Sequence, residues 1–214
     1  RRVNCVKERS NNDCKLLDWG GVGEFMAAIQ TDVAEVVGTE LDHERIKFVT
    51  ERHGLVMTHP SEVRRNFNPG YFDVISLFHV LEYFVNPFEE LEQILELLND
   101  DGILIIEVPN LDDWMLSVSH GYRQFWYQRA HAQFFRWASL LKLLHRIGMV
   151  GNVEFVQRYS IRNMLHWLWA GWPQVSEPNK IGYSQLTFSE VVYAHVLKSL
   201  KATDTMVVSA VSHD

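Results

Sequence analysis

A glycine-rich turn is the first feature of the sequence that could do chemistry. In the stretch LLDWGGVGEF, residues 16–25, a short apolar run leads into closely spaced glycines and then into a helical pattern. Glycines at such a turn let backbone N–H groups approach a ligand closely. Glu40 follows at the end of the next predicted strand, where a carboxylate can accept both hydroxyls of a ribose. On its own, Glu40 would be read as an exposed residue before a helix, but with the turn it indicates a nucleoside-containing ligand.

The spacing of the glycines argues against two common phosphate-binding motifs. G-x-G-x-x-G would need a third glycine where Met26 stands, and no G-x-x-x-x-G-K-[ST] occurs. Glu24 opens the following helix, and an acid there would repel a pyrophosphate. A ligand with a ribose, an adenine and a cationic centre fits better, and S-adenosylmethionine is such a ligand. A nicotinamide-dependent oxidoreductase stays open as an alternative, although Met26 argues against it.

The elements that position this turn alternate between strands and helices. Asp42 is a good N-cap and Gly54 a good helix stop. The alternation predicts an α/β fold with an open, doubly wound sheet, which binds ligands beyond the carboxyl ends of its strands. The predicted strands cover residues 15–20, 35–41, 54–59, the start of 71–84, and 102–110 after a turn at Asp101–Gly102, and the predicted helices cover 24–34, 42–54 and 86–102.

The second half of the chain is rich in aromatic residues. Six of the seven tryptophans lie between Trp114 and Trp172. We predict a helix over 139–149 and strands over 152–159 and 205–212. Two aromatic-rich stretches, 111–137 and 159–189, are interpreted as cap insertions over the ligand edge of the sheet. The prediction is one domain over 1–214, in which 1–14 is a polar N-terminal extension.

Composition limits the possible function classes. The chain has 214 residues, of which 47% are hydrophobic, so one packed domain is expected. A net charge of −7 argues against a nucleic-acid partner. No apolar run approaches the ~20 residues that span a bilayer, and no signal peptide is recognised, so we expect no membrane insertion and a cytoplasmic location. The first residue is Arg1 rather than Met, which leaves open that the chain is a fragment.

Cysteine usage gives no indication of a metal or redox site. Cys5 and Cys14 are the only cysteines, and no C-x-x-C occurs. We therefore expect two ordinary reduced thiols and no bound metal.

Several segments together resemble the class I S-adenosylmethionine-dependent methyltransferases. LLDWGGVGEF resembles their first motif, D-x-G-x-G-x-G-x-[FL], and VVGTEL resembles their second strand with its ribose acid. The block FDVISLFHVLEYFVNPFEELEQILELLNDDGILIIEVPN, residues 72–110, resembles their fourth strand through their fifth. RAHAQFF and VQRYS resemble segments of bacterial members associated with carbohydrate, cell-surface polysaccharide or natural-product biosynthesis. The resemblance covers roughly residues 15–214.

This resemblance implies a fold and an activity. The fold is a mostly parallel seven-stranded sheet, Rossmann-like, whose last strand, 205–212, runs antiparallel, with the aromatic-rich stretches as a cap. The activity is methyl transfer from S-adenosylmethionine to a small-molecule acceptor, a sugar or sugar-derived precursor. It leaves the oligomeric state open.

The resemblance also implies roles for individual residues. Methyl transfer to a hydroxyl or a carbon acid needs an aligned acceptor and removal of a proton. Candidate bases are His131, His79, Tyr83 and Glu82, of which His131 is favoured by its motif-like context. Candidate acceptor-binding residues are Tyr122, Tyr127, Arg129 and Arg158. The implied cofactor contacts are Asp18, Gly20, Gly21 and Gly23 around the amino-acid part, Glu40 on the ribose, Leu41 on the adenine, and Phe78 and His79 near the sulfonium, with core packing an equal explanation of Phe78.

Three positions depart from the family pattern. Gly20 and Gly21 are adjacent, so the turn is one residue shorter than usual. Ala130 stands where an acid is usual before the loop histidine, and Tyr83 stands where a second histidine is usual. An alternative is therefore a methyltransferase fold that binds its ligand without turnover.

Overall fold

The computed structural model describes residues 1–21, 23–173 and 188–213. The predicted cap stretch 159–189 lies partly outside these residues. Within them, the chain forms one twisted sheet with helices on both faces.

The sheet has seven strands in the order β3-β2-β1-β4-β5-β7-β6. The first five strands pair in parallel. The last strand runs antiparallel to both of its neighbours. The predicted fold class and the bounds of its last strand are confirmed. The strands are β1 (Lys15–Asp18), β2 (Glu35–Thr39), β3 (Val56–Thr58), β4 (Phe72–Phe78), β5 (Leu98–Pro109), β6 (Met149–Val156) and β7 (Thr205–Ser212).

The helices begin and end largely where local chemistry predicts. Asp42 accepts a hydrogen bond from the backbone N of Glu44, and Gly54 closes the same helix at φ 65°. A short 3-10 turn at Leu81–Tyr83 follows β4. The helices are α1 (Arg2–Lys7), α2 (Glu24–Ile29), α3 (His43–His53), α4 (Pro60–Asn66), α5 (Pro87–Leu95), α6 (Met115–Val118), α7 (His120–Trp126), α8 (Trp137–Arg146), α9 (Ile161–Ala170) and α10 (Phe188–Ser199).

The core consists of a cluster on each face of the sheet. The central strands read as continuous apolar runs because both of their faces are covered. On one face, Leu17 of β1 and Ile106 of β5 share a cluster with Leu91 of α5. On the other face, Leu16 and Ile105, their neighbours in sequence, share a cluster with helices α1, α2 and α3. Helices on both faces of the sheet are what a doubly wound fold requires.

Several predicted boundaries were wrong, for physical reasons. Residues 1–14, predicted as a polar N-terminal extension, contain the unpredicted helix α1, which buries Cys5 and Val6 in the second cluster. The predicted helix over 86–102 ends at Leu95. The predicted turn at Asp101–Gly102 lies inside β5, which starts early because Leu98 pairs with Phe72 across a register shift.

Other predicted elements need shorter or shifted bounds. The helix over 24–34 ends at Ile29, and α4 was not predicted. The strand over 152–159 runs instead over Met149–Val156, because it pairs along the full length of β7. Cys5 and Cys14 are both free, and both are buried.

Candidate functional site

The glycine turn joins the end of β1 to α2 and requires its glycines. Gly20 has φ 74° and Gly23, the N-cap of α2, has φ 91°. These values lie in the left-handed region, which favours glycine. A Cβ at Gly21 would stand 2.1 Å from Asp18 Oδ2, so this position also requires glycine. The backbone N of Gly20 donates to Thr39 Oγ1 at 2.9 Å, which ties the shortened turn to β2.

Asp18 supports the turn from behind. Its side chain is buried and accepts a hydrogen bond from Ser76 Oγ at 2.8 Å. Burial raises the pKa of Asp18 to about 7, and the bond from Ser76 only partly opposes this. The bond from Ser76 therefore holds the Asp18 carboxyl in place, where it leaves no room for a side chain at Gly21.

The residues after β2 provide an acid and an apolar surface beside the turn. Glu40 Oε1 accepts hydrogen bonds from the backbone N of Leu41 at 2.7 Å and of Asp42 at 3.2 Å. Glu40 Oε2 lies 3.6 Å from Arg45. Leu41 is 70% exposed, which leaves its side chain free to pack on a flat ring. A turn that only glycine fits, an acid and an open apolar side chain suit an adenosine-bearing cofactor.

The two residues implied near the sulfonium differ in their surroundings. Phe78 is buried and packs edge-on against Phe25, with ring centroids 4.9 Å apart. The guanidinium of Arg2 lies over the Phe78 ring at 4.7 Å. His79 is half-buried and has φ 60°, a conformation that is uncommon for residues other than glycine. Such backbone strain is concentrated at functional sites.

His79 lies between two buried carboxylates. Its Nδ1 is 3.1 Å from Glu82 Oε1, and its Nε2 is 3.0 Å from Glu107 Oε1. Arg158 Nη1 also contacts Nε2, at 2.5 Å. Burial would raise the pKa of Glu107, but the hydrogen bond from His79 and the charges of Arg1 and Arg2 outweigh it and hold that pKa well below its usual range. Glu107 is therefore a fixed negative charge beneath the site.

His79, Glu82 and Arg158 line a polar cavity of about 180 Å³ at the carboxyl ends of β4 and β5. The three predicted catalytic residues, His131, His79 and Tyr83, all line it. The rings of His131 and Tyr83 meet edge-on, with centroids 5.0 Å apart. The other lining residues are Glu82, Pro109, Tyr122, Phe125, Trp126, Gln128, Arg158, Tyr159 and Asp204. Of the predicted acceptor-binding residues, Tyr122 and Arg158 line this cavity, whereas Tyr127 and Arg129 are not among the lining residues.

Two groups of buried hydrogen bonds lie beside this cavity, one within the stretch 111–137 and one between the segment after β6 and the residue before β7. The hydroxyl of Tyr122 donates to Asp113 Oδ2 at 2.6 Å. Burial and the neighbouring charge of Asp204 raise the pKa of Asp113 to about 7, against the hydrogen bond from Tyr122. Asp204 Oδ2 accepts hydrogen bonds from the backbone N of Arg158 and of Tyr159, at 2.8 and 2.9 Å.

Sequence reasoning missed Glu107 and Asp204. A signal existed for Glu107, because it is a charged residue inside the otherwise apolar run GILIIEVP. Asp204 gave no such signal, since it stands in a polar stretch and acts only through the fold.

A larger cavity of about 590 Å³ lies between α9, α10 and Trp114. Its lining is mainly apolar, in contrast to that of the smaller cavity. In the ranges that the structure describes, no group of three or more His, Cys, Asp or Glu side chains could hold a metal ion. No helix in those same ranges is long and apolar enough to cross a membrane.

Comparisons with known proteins agree with the fold. A family model described as a methyltransferase domain matches residues 5–151, more than half of the chain. No curated protein matches the sequence. Among solved structures, a SAM-dependent methyltransferase from Archaeoglobus fulgidus is 17% identical, with a TM-score of 0.66 over 98% of this chain and 90% of that one.

Two further solved structures are similar. A possible histamine N-methyltransferase from Thermotoga maritima is 16% identical, with a TM-score of 0.63 over 98% of this chain and 87% of that one. The plantazolicin methyltransferase BpumL, in complex with a triazolic desmethyl analogue and S-adenosylhomocysteine (SAH), is 18% identical, with a TM-score of 0.58 over 100% of this chain and 81% of that one. At these identities the likeness is one of fold.

Proposed function

Because the chain belongs to the class I S-adenosylmethionine-dependent methyltransferases, we propose that it methylates a small molecule bound in the polar cavity, a sugar or sugar-derived precursor. S-adenosylmethionine is its cofactor and supplies, when bound, a methyl group on a cationic sulfur. The observation that carries the proposal is the cavity itself, where polar and aromatic side chains meet at the carboxyl ends of β4 and β5.

The size and lining of the cavity support a small acceptor. Its volume of about 180 Å³ equals roughly six water molecules at ~30 Å³ each, which suits one ring-sized group. Tyr83, Phe125 and Trp126 offer faces on which a sugar or an aromatic ring could stack. The neighbour solved with a plantazolicin analogue supports the small-molecule class. The net charge of −7 disfavours a nucleic acid.

We assign the cofactor to the glycine turn and its neighbours. In this assignment the backbone at Gly20, Gly21 and Gly23 approaches the amino-acid part, with Asp18 behind it. Glu40 takes the ribose and Leu41 packs on the adenine. Phe78 acts mainly by keeping the end of β4 in place.

We assign His131, His79 and Tyr83 to the acceptor side. Burial and the charge of Glu82 raise the pKa of Tyr83, so its phenol stays neutral at physiological pH. Tyr83 is then suited to donate a hydrogen bond to the acceptor. The cytoplasmic location stays a prediction.

Calorimetry with SAH tests the proposal. We expect the full chain to bind SAH and, with S-adenosylmethionine, to release SAH in the presence of its acceptor. Absence of binding by folded protein would overturn the cofactor assignment.

The shortened turn supports one alternative, a member that binds the cofactor without turnover. SAH binding with no SAH release across a panel of monosaccharides and nucleotide sugars would favour that alternative.

A further inference from the structure

We propose that Glu82 is the catalytic residue that takes the acceptor's proton, and that the group to be methylated is a hydrogen-bond donor, a hydroxyl or an amine, rather than a carboxylate. This inference rests on the proposed function, because it takes the polar cavity as the acceptor site.

Glu82 has a carboxylate oxygen without a hydrogen-bond partner among the described residues. Glu82 is only 2% exposed and lines the polar cavity. Its Oε1 faces His79, while its Oε2 is buried and has no hydrogen-bond partner among the described residues. Leaving a buried acceptor unpaired is unfavourable, and more so when it is charged. Oε2 therefore lacks a donor, which a hydroxyl or an amine of a molecule bound beside Glu82 in the cavity can supply.

Glu82 is held in place both at its backbone and at its carboxylate. Its backbone O accepts hydrogen bonds from the backbone N of Ala132 at 2.8 Å and of Gln133 at 3.0 Å, next to His131 in the cap. His79 contacts the Glu82 carboxylate through Nδ1 and the Glu107 carboxylate through Nε2. His79 is therefore a positioning residue in this proposal, because it fixes Oε1 and leaves Oε2 for the acceptor.

His131 and Tyr83, the competing candidates for taking the acceptor's proton, are less suited to that role than Glu82. His131 meets the rings of Tyr83 and Phe134 edge-on, which suits it to forming a wall of the cavity. Tyr83 is a neutral phenol and a poor proton acceptor. Glu82 is the cavity residue that combines a buried carboxylate with an unpaired oxygen.

The chemical step balances with these groups. A lone pair on the acceptor oxygen or nitrogen forms a bond to the methyl carbon, and the carbon–sulfur bond pair returns to sulfur, which becomes a neutral thioether. The acceptor's proton passes to Glu82 Oε2. A carboxylate acceptor would have no proton to give and would meet the charge of Glu82. Arg158, which lines the same cavity and whose buried Nε has no hydrogen-bond partner among the described residues, can instead donate to the oxygen atoms of the acceptor.

Binding of small probes to the full chain saturated with SAH tests this proposal. Benzylamine, benzyl alcohol and benzoate share one ring and differ in the group that would meet Glu82. Their affinities can be ranked by ligand-observed NMR, with intrinsic tryptophan fluorescence, to which Trp126 of the cavity contributes, as a second readout. We expect benzylamine and benzyl alcohol to bind at least tenfold more tightly than benzoate, as a charge-assisted hydrogen bond permits.

Variants separate Glu82 from the general charge of the protein. Glu82→Gln keeps the size of the side chain and should bring the three affinities within about threefold of one another. Glu89→Gln, on the exposed side of α5, makes the same change in net charge and should leave the ranking intact. His131→Asn should weaken all three probes without changing their order.

The outcomes are distinct from those that test the proposed function. Loss of SAH binding by the unaltered chain would contradict the cofactor assignment. Normal SAH binding with benzoate as tight as benzylamine, with no probe bound, or with an unchanged ranking in Glu82→Gln would overturn the role of Glu82. The ranking by the unaltered chain keeps the test decisive if Glu82→Gln does not fold.

Discussion

The substitution Asp113→Asn should make the protein less stable than wild type at pH 5 and more stable than wild type at pH 7.5. The pKa of Asp113 is raised from 3.8 to about 7 in the folded protein, chiefly by burial. Between these values only the folded state binds the proton, so wild-type stability falls by about 1.4 kcal/mol per pH unit as the pH rises. Above pH 7 both states are ionised and the loss is complete.

The difference in the free energy of unfolding between wild type and Asp113→Asn isolates the contribution of the Asp113 proton. Asn carries no charge, so Asp113→Asn gains about 2.7 kcal/mol relative to wild type between pH 5 and pH 7. At pH 5 the variant should be less stable by about 1 kcal/mol, because it weakens the hydrogen bond with Tyr122. At pH 7.5 it should be the more stable protein. Asp18, whose pKa is also raised, is present in both proteins and largely cancels. Asp204 loses the neighbouring charge of Asp113 in the variant, which favours the variant at high pH in the same direction.

Urea unfolding followed by tryptophan fluorescence at pH 5, 6 and 7.5 measures this change. Asp112→Asn is the matched control, because its carboxylate lies nearer the surface beside Arg136 and has no comparable burial. We expect the control to differ from wild type by the same amount at each pH. An equally flat result for Asp113→Asn would refute the argument that a buried acid holds its proton there.

Two predictions concern the cofactor end of the site. Glu40→Ala should weaken SAH binding by about 1.5–3 kcal/mol through the loss of at least one charge-assisted hydrogen bond. The control Glu44→Ala, in the first turn of α3, should leave the affinity unchanged. Unchanged affinity of Glu40→Ala in calorimetry would mean that Glu40 hydrogen-bonds only to its own loop. Inserting one glycine between Gly20 and Gly21 should weaken SAH binding at least tenfold, because the hydrogen bond from Gly20 to Thr39 already fixes the short turn against β2. A sharp rise in affinity would instead show that the native turn binds the cofactor poorly.

The parts of the fold that were predictable depend on local chemistry. The helix from His43 to His53 was bounded correctly, because an Asp at its start and a Gly at its end satisfy the backbone groups left over by a helix. The last strand was bounded correctly because its apolar run is framed by polar residues. By contrast, α1 has only two buried residues and is stabilised by contacts from Arg1 and Arg2 to Glu107, more than a hundred residues away.

The candidate site divides in the same way. The family resemblance gave His79, Tyr83 and His131 as candidate catalytic residues, but their meeting around one cavity depends on tertiary contacts that spacing in the sequence does not reveal. The unpaired oxygen of Glu82 could not be foreseen, since it depends on which side chains reach the end of β4 in three dimensions. Glu107 became significant only when its position beneath His79 was known.

The left-handed backbone at His79 limits how this position can change. A β-branched residue would be strongly disfavoured at φ 60°, and most other side chains would be mildly so. Glycine would relax the chain but remove the imidazole that connects two carboxylates, whereas asparagine would tolerate the backbone with a shorter reach. Evolution or engineering at this site must therefore satisfy a conformational demand and a chemical demand together, and few amino acids meet both.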